Sequence, residues 1–367
     1  MRNEPTVVVA AGGTAGHVVP ALAVADALRA SGAAVSFLGT RDRAEAELVP
    51  AAGYEIDFLD IRGLDRRNPL KAAAAVARAA AAVPAATKVL RRRGADAVLG
   101  GGGYVAGPAG LAALRLRLPL VLTEADSHLG LANRLLARRA SRVCLAFEIP
   151  GREGDPYLVT GRPVPEAVLV ADRDEARERF GIPAGERCLL VFGGSLGART
   201  INRAALAAFA EPGRERGFWV LHIAGRRDFA EAHARVGAAE PGRYVLLEYE
   251  PSLGDSLAAS DLVLARSGGS VFELAAAGRP AILVPFPYAT AGHQHANARW
   301  MAEAGAAITI DDSELTPDRL AAEAGALLGD PGRLERMAAA SRALSRPDAA
   351  ARIAAEVLAA IDAGAGR

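Results

Sequence analysis

One strand–turn–helix signature occurs twice in this chain, a domain length apart. Val7-Val8-Val9-Ala10-Ala11 runs into Gly12-Gly13-Thr14-Ala15-Gly16, and Leu189-Leu190-Val191-Phe192 runs into Gly193-Gly194-Ser195-Leu196-Gly197. Each is a short apolar strand, a G-G-[Thr/Ser]-x-G turn and the start of a helix. Glycines let the backbone turn tightly and come close to a ligand. The helix that follows aims free N–H groups and the positive end of its dipole at an anion. A chain that repeats this arrangement reads as two nucleotide-type α/β domains facing each other across a cleft.

The rest of the sequence supplies two such domains. Its 367 residues are enough for two hydrophobic cores. Strand-like runs near 6–11, 34–39, 54–58, 96–100, 119–122 and 142–146 alternate with helical patterns such as 17–31. A second series falls near 187–193, 218–223, 243–247, 261–265, 280–284 and 306–310. The runs are apolar on both faces, as in a buried parallel sheet. The Gly-, Pro- and charge-rich stretch Ile149–Pro156 leads to a short strand at Tyr157–Thr160 and then to Gly161-Arg162-Pro163-Val164-Pro165, the expected hinge. The tail, 316–363, reads as consecutive helices. The expected boundaries are therefore an N-terminal domain over 1–160, a C-terminal domain over 161–345 and a closing segment over 346–367. Open parallel sheets bind ligands beyond the carboxyl ends of their strands, which places the glycine-rich turns along one side of each domain.

Several function classes drop out. A net charge of +1 does not point to nucleic acid. No apolar run reaches the roughly 20 residues of a membrane span, so the chain reads as soluble or as lying on a membrane surface. Cys144 and Cys188 sit in strand-like runs with no metal-ligand spacing, and read as buried thiols of a cytosolic protein. His293 and His295 are two apart and lack a completing carboxylate, so no metal is expected. Asp172-Arg173-Asp174 reads as helix capping. There is no G-x-x-x-x-G-K-[Ser/Thr], and no acidic residue ends the strand Phe37-Leu38-Gly39, so neither a P-loop nor a dinucleotide cofactor is expected.

Four turns carry the candidate chemistry. His17 follows the first and is a natural acid/base or phosphate-contacting group. The second, Gly100-Gly101-Gly102-Gly103-Tyr104-Val105-Ala106-Gly107-Pro108, spends four consecutive glycines, which a close-approaching ligand explains better than packing does. The third is Gly193–Gly197. The fourth, Arg266-Ser267-Gly268-Gly269-Ser270-Val271-Phe272-Glu273, opens a helix whose N-terminus can hold a phosphate while Glu273 takes a ribose or complements the dipole. Thr123-Glu124-Ala125-Asp126 projects two carboxylates at a strand end. Pro285-Phe286-Pro287-Tyr288 leads to His293-Gln294-His295-Ala296-Asn297, with amides suited to sugar hydroxyls.

Together these residues resemble the MurG family of peptidoglycan glycosyltransferases, over roughly 5–345. The resemblance is carried by Gly12–Val24, by Gly39-Thr40 with Glu45–Pro50, by Gly102–Pro108, by Gly193–Arg199 with Asn202, by Glu273–Pro280, and by Pro285–Pro287 with His293, Gln294 and Asn297. It implies the two-Rossmann-domain GT-B glycosyltransferase architecture, with a final helix crossing back to the N-terminal domain. It implies inverting, metal-independent transfer of GlcNAc from UDP-GlcNAc to lipid I, an undecaprenyl-linked acceptor, on the cytoplasmic face of the cell membrane. No cofactor is implied. By resemblance, Thr14, Ala15, Gly16 and His17 face the acceptor diphosphate and the transferring sugar, and Ser195 contacts the UDP diphosphate. Gly268, Gly269, Ser270, Val271 and Phe272 offer amides to it, Glu273 holds the ribose, and Gln294 and Asn297 read the GlcNAc hydroxyls. Tyr104, Asp126 and Arg162 complete the binding set, and the base is His17 or Glu124.

The chain departs from the family in three places. Thr123-Glu124-Ala125-Asp126 stands where His-Glu-Gln-Asn is common, so a carboxylate that cannot donate replaces an amide. Pro165 occupies the position of an arginine, with Arg162 nearby, and Leu196 replaces a glutamine. A membrane-facing patch is expected from Arg62, Arg66, Arg67, Lys71, Arg78, Lys88 and Arg91–Arg93, with Leu114, Leu116 and Leu118 interleaving Arg115 and Arg117. The rival readings are another glycosyltransferase of this architecture acting on a diacylglycerol or small molecule, a UDP-GlcNAc epimerase, and a non-catalytic sugar-nucleotide-binding subunit.

Overall fold

The computed structural model describes residues 4–61, 77–194, 197–211, 216–239, 242–289 and 292–365. The chain divides into two compact units, Met1–Pro165 with Arg346–Arg367, and Glu166–Ser345.

In the first unit, strands β1 (Thr6–Ala10), β2 (Ala34–Gly39), β3 (Ile56–Phe58), β4 (Ala97–Gly100), β5 (Leu120–Glu124), β6 (Arg142–Leu145) and β7 (Tyr157–Val159) form one sheet. Its order is β3-β2-β1-β4-β5-β6-β7, and every pairing is parallel. The central strands are Val- and Leu-rich and buried on both faces, because helices cover each side. One face buries Val8, Ala10, Val98 and Leu122 under the helix Ala106–Leu116. The other buries Val7, Val9, Leu99 and Val121 under the opening helix Ala15–Ala30 and the final helix Ala349–Ala365, whose Ile353, Ala354 and Val357 share that core.

The second unit holds β8 (Arg187–Phe192), β9 (Phe218–Ile223), β10 (Tyr244–Leu247), β11 (Leu262–Ala265), β12 (Ala281–Leu283) and β13 (Ala307–Thr309), in the order β10-β9-β8-β11-β12-β13, again all parallel. Its larger core packs Leu189, Val191, Leu262 and Leu264 against Ile201 and Phe209 of the helix Arg199–Phe209 and Leu320 and Leu327 of the helix Pro317–Leu328.

Both sheets are thus Rossmann-like, as the alternation of apolar runs predicts. The strand order reverses between β1 and β4 in the first unit and between β8 and β11 in the second. A crevice opens at such a reversal, because successive crossovers leave in opposite directions. All four glycine-rich turns follow one of these four strands.

Candidate functional site

In the first unit the turn after β1 meets the turn after β4. Gly103 has φ +76°, and a Cβ there would lie 2.0 Å from the Gly12 carbonyl oxygen. Only glycine lets the two turns close to this distance. Thr14 sits in an extended conformation just before the opening helix, with its hydroxyl 3.4 Å from His17 Nδ1. Ala15, Gly16 and His17 form the first helical turn, and the His17 amide turns back onto Thr14 O at 2.9 Å.

Pro20, one turn further on, has no N–H to give the Gly16 carbonyl four residues earlier. Arg162 takes that carbonyl instead, with Nη2 donating to Gly16 O at 2.5 Å. A pocket lined by Gly16, His17, Pro20, Gly101, Glu124 and Arg162 results. His17 is half-buried there. Burial, and then the Arg162 guanidinium, hold its imidazole below the ordinary value of 6.5, while Asp126 and Glu45 oppose them. The ring is therefore neutral at pH 7, the form that accepts a proton.

The two carboxylates at the end of β5 differ in environment. Glu124 is buried, and its pKa is raised by burial, while hydrogen bonds to the Gly130 amide, Asn133 and the Asp126 amide pull the other way. Its Oε2 accepts from Gly130 N at 2.7 Å and Asn133 Nδ2 at 2.9 Å, and its Oε1 from Asp126 N at 3.2 Å. Glu124 anchors the 124–130 loop with oxygens that a base would need free. Asp126 is half-buried on that loop. Tyr104, read as substrate-binding, places its hydroxyl 3.1 Å from Thr40 Oγ1.

In the second unit, the turn after β11 is clamped to the helix His293–Glu303. Ser267 is fully buried and donates to Gln294 O at 2.8 Å. Asn297 is 4 % exposed, and its Nδ2 donates to Ser267 O at 3.0 Å and Gly268 O at 3.3 Å. Its amide nitrogen supports the turn and is not available to sugar hydroxyls. Gln294 is half-buried, with Oε1 accepting from Phe286 N at 2.8 Å and Nε2 beside Gly268. Val271 N and Phe272 N turn back onto Gly268 O and Gly269 O, at 3.3 and 3.2 Å, so these two amides are spent within the turn. Ser270 precedes the helix Val271–Ala276, and Glu273 lies half-buried in its first turn.

Ser195 and Leu196 lie outside the described residues. Gly197 beside them has φ +76°, and a Cβ there would lie 2.2 Å from Ala224 O. Beneath that turn is a buried chain that sequence reasoning missed. Asn202 Nδ2 donates to Ala224 O at 2.8 Å, Asn202 Oδ1 is 3.0 Å from His222 Nε2, and His222 Nδ1 is 2.7 Å from Tyr244 OH. Burial drives the His222 pKa to about 3. The available signal was a lone histidine within the apolar run Phe218–Ile223.

The expected basic patch is altered. Arg62, Arg66, Arg67 and Lys71 lie outside the described residues. Arg92 pairs with Asp57, and Arg93 with Asp57 and Glu55. Leu114, Leu116 and Leu118 are partly buried and pack on the sheet core, because the chain reverses at Arg117 (φ 59°) after the helix Ala106–Leu116. The exposed apolar side chains nearby are Leu111, Leu131 and Leu135. Cys144 and Cys188 are buried, and burial pushes both thiols up to about 12.

Comparison with known proteins agrees with this layout. Residues 7–145 match the glycosyltransferase family 28 N-terminal domain, and residues 188–353 match its C-terminal domain. The chain is 44 % identical to a UDP-N-acetylglucosamine--N-acetylmuramyl-(pentapeptide) pyrophosphoryl-undecaprenol N-acetylglucosamine transferase of Alkalilimnicola ehrlichii, over 95 % of this chain and 97 % of that one. It is 43 % identical to the protein of the same name from Methylococcus capsulatus, over 95 % and 96 % of the two chains. The crystal structure of Acinetobacter baumannii MurG superposes with a TM-score of 0.74 at 30 % identity, covering 97 % of this chain and 99 % of that one. With both domains matched in order and full-length relatives well above 30 % identity, this chain belongs to glycosyltransferase family 28 and, within it, to the MurG family.

Proposed function

We propose that this chain transfers N-acetylglucosamine from UDP-GlcNAc to the 4-hydroxyl of the N-acetylmuramyl residue of lipid I, giving lipid II for peptidoglycan. The observation that carries this reading is the near full-length likeness to relatives named for that transfer. The chemistry is a single inverting displacement. The acceptor oxygen attacks the anomeric carbon, the bond to the UDP oxygen breaks, and negative charge grows on the departing diphosphate.

On the acceptor side, His17 serves as the base. Its neutral ring, with Nδ1 turned to Thr14, leaves Nε2 to take the hydroxyl proton. Arg162 and the amides of Ala15 and Gly16 receive the acceptor's own diphosphate. Tyr104 and Asp126 border the same turns. Glu124 holds its loop in place.

On the donor side, amides at Gly268, Gly269 and Ser270 stabilise the leaving diphosphate, together with Ser195. Preorganised amides are effective there because they need no rearrangement as charge develops. Glu273 takes the ribose hydroxyls and Gln294 the GlcNAc hydroxyls, over a turn that Asn297 supports from below.

The relatives' names include an undecaprenol-linked substrate, and no described helix is long and apolar enough to cross a membrane. Peripheral attachment to the cytoplasmic leaflet through an anionic surface fits both facts. The deciding experiment is radiolabelled transfer to a lipid I analogue from UDP-GlcNAc, UDP-GalNAc and UDP-Glc. Transfer from UDP-GlcNAc alone supports the reading, and a new sugar nucleotide formed without acceptor would overturn it in favour of epimerisation. Flotation with liposomes, with and without anionic lipid, tests the attachment.

A further inference from the structure

Glu45 opens the helix Glu45–Ala51 and is fully buried, with both carboxylate oxygens engaged beneath the first glycine turn. Oε2 accepts from Gly13 N at 2.9 Å. Oε1 accepts from Thr40 N at 3.0 Å and from Thr40 Oγ1 at 2.6 Å. Thr40 Oγ1 lies in turn 3.1 Å from the hydroxyl of Tyr104, in the second glycine turn. The backbone makes room for this carboxylate. A Cβ on Gly12 would lie 2.6 Å from Glu45 Oε1, and one on Gly39 would lie 2.6 Å from Glu45 Cγ.

Burying a carboxylate is costly unless its oxygens are hydrogen-bonded. The donors collected here are an amide of one turn, the Thr40 amide after β2, and a hydroxyl that leads to the other turn. The Gly13 N–H and the Gly12 carbonyl belong to one planar trans peptide, so fixing the amide toward Glu45 fixes the carbonyl in the opposite direction. That carbonyl is the surface on which Gly103 closes. We propose that Glu45 is a positioning residue: it sets the two N-terminal glycine turns against each other for the acceptor, through the Gly13 amide and the Thr40–Tyr104 hydroxyl pair, without touching substrate. The inference rests on the reading of these turns as the acceptor's.

Glu45→Gln tests it. The amide keeps the volume but sets an NH2 against either the Gly13 N–H or the Thr40 donors. With UDP-GlcNAc and a lipid I analogue, kcat/KM for the acceptor should fall roughly ten- to hundredfold, the scale of a small misplacement of binding groups. KM for UDP-GlcNAc, and the Kd for UDP measured without acceptor, should stay unchanged. Thr40→Val keeps the Glu45 carboxylate with its Gly13 and Thr40 amide donors but removes the hydroxyl that joins it to Tyr104. It should give a smaller loss of the same kind, and it decides the matter if Glu45→Gln does not fold. Unchanged acceptor kinetics in the folded variants would overturn the proposal. So would equal losses toward donor and acceptor with a lowered melting temperature, the signature of a merely structural carboxylate. Absence of any transfer by the unaltered chain would instead sink the functional reading.

Discussion

His17 combines a position in the first turn of a helix with a pocket that disfavours its charged form. Removing it by His17→Ala should lower kcat by roughly two to four orders of magnitude, the range of a positioned general base, with little change in the KM for UDP-GlcNAc. Steady-state kinetics check this, and near-wild-type turnover would exclude His17 as base. The pH dependence follows from the same surroundings. Burial first, then Arg162, hold the His17 pKa below 6.5, so the acidic limb of kcat/KM should fall below that pH. Arg162→Gln removes the opposing cation, and the limb should move to higher pH. A pH–rate profile of the two proteins measures the displacement and its sign.

At the scale of elements, the glycine turns differ from the glycines elsewhere. Gly103→Ala should abolish most acceptor turnover, because the new Cβ meets the Gly12 carbonyl and the backbone there has φ +76°. Gly325, exposed in the last turn of the helix Pro317–Leu328 with nothing within 4 Å of where a Cβ would lie, is the control. Gly325→Ala should leave activity intact and stabilise by about 1 kcal/mol, the difference in helix propensity. Chemical denaturation and an activity assay on both variants separate close approach from propensity. This contrast was half legible in the sequence. A run of four glycines at a strand end reads as room for a ligand, yet a Cβ at Gly100 would meet Leu122, one at Gly102 would meet His17 and one at Gly103 would meet Gly12 O, some ninety positions away in sequence. Asn297 shows a second limit of local sequence. Its spacing from Gln294 puts both on one face of a helix, yet the turn after β11 covers one and leaves the other half open. Leu114, Leu116 and Leu118 alternate as a surface stripe would on a strand, but they bracket a helix end, where that spacing spreads them over the core.

For the whole molecule, stability depends on pieces that sequence order separates. Ile353 in the final helix is 1 % exposed and shares a core with β1, β4 and the opening helix. Ile353→Ala should destabilise the first unit by about 2–5 kcal/mol, the usual range for such a cavity. A loss below 1 kcal/mol by denaturant titration would contradict the packing. In the second unit, His222 binds its proton with a pKa of about 3 when folded, against about 6.5 for an unfolded histidine. The unfolded chain therefore takes up more protons below pH 6.5. The contribution to stability is complete above that value and is lost as pH falls toward 3, by at most about 1.4 kcal/mol per pH unit. Melting curves between pH 7 and 5 should show a falling midpoint. A flat profile would mean that the imidazole is not held neutral.

The sequence by itself determined the strands, the order in which they alternate with helices, and the glycine-rich turns at the strand ends. These follow from short apolar runs buried on both faces, from helical spacing between them and from glycine at strand ends, all of which act within a few residues. Tertiary structure alone decided which polar groups lie beneath those turns: Glu45 under Gly13, Asn297 under Ser267 and Gly268, and the His222 chain under Gly197. A buried polar side chain must find its donors wherever the fold brings them, and the local sequence carries no record of a partner supplied by another strand or helix.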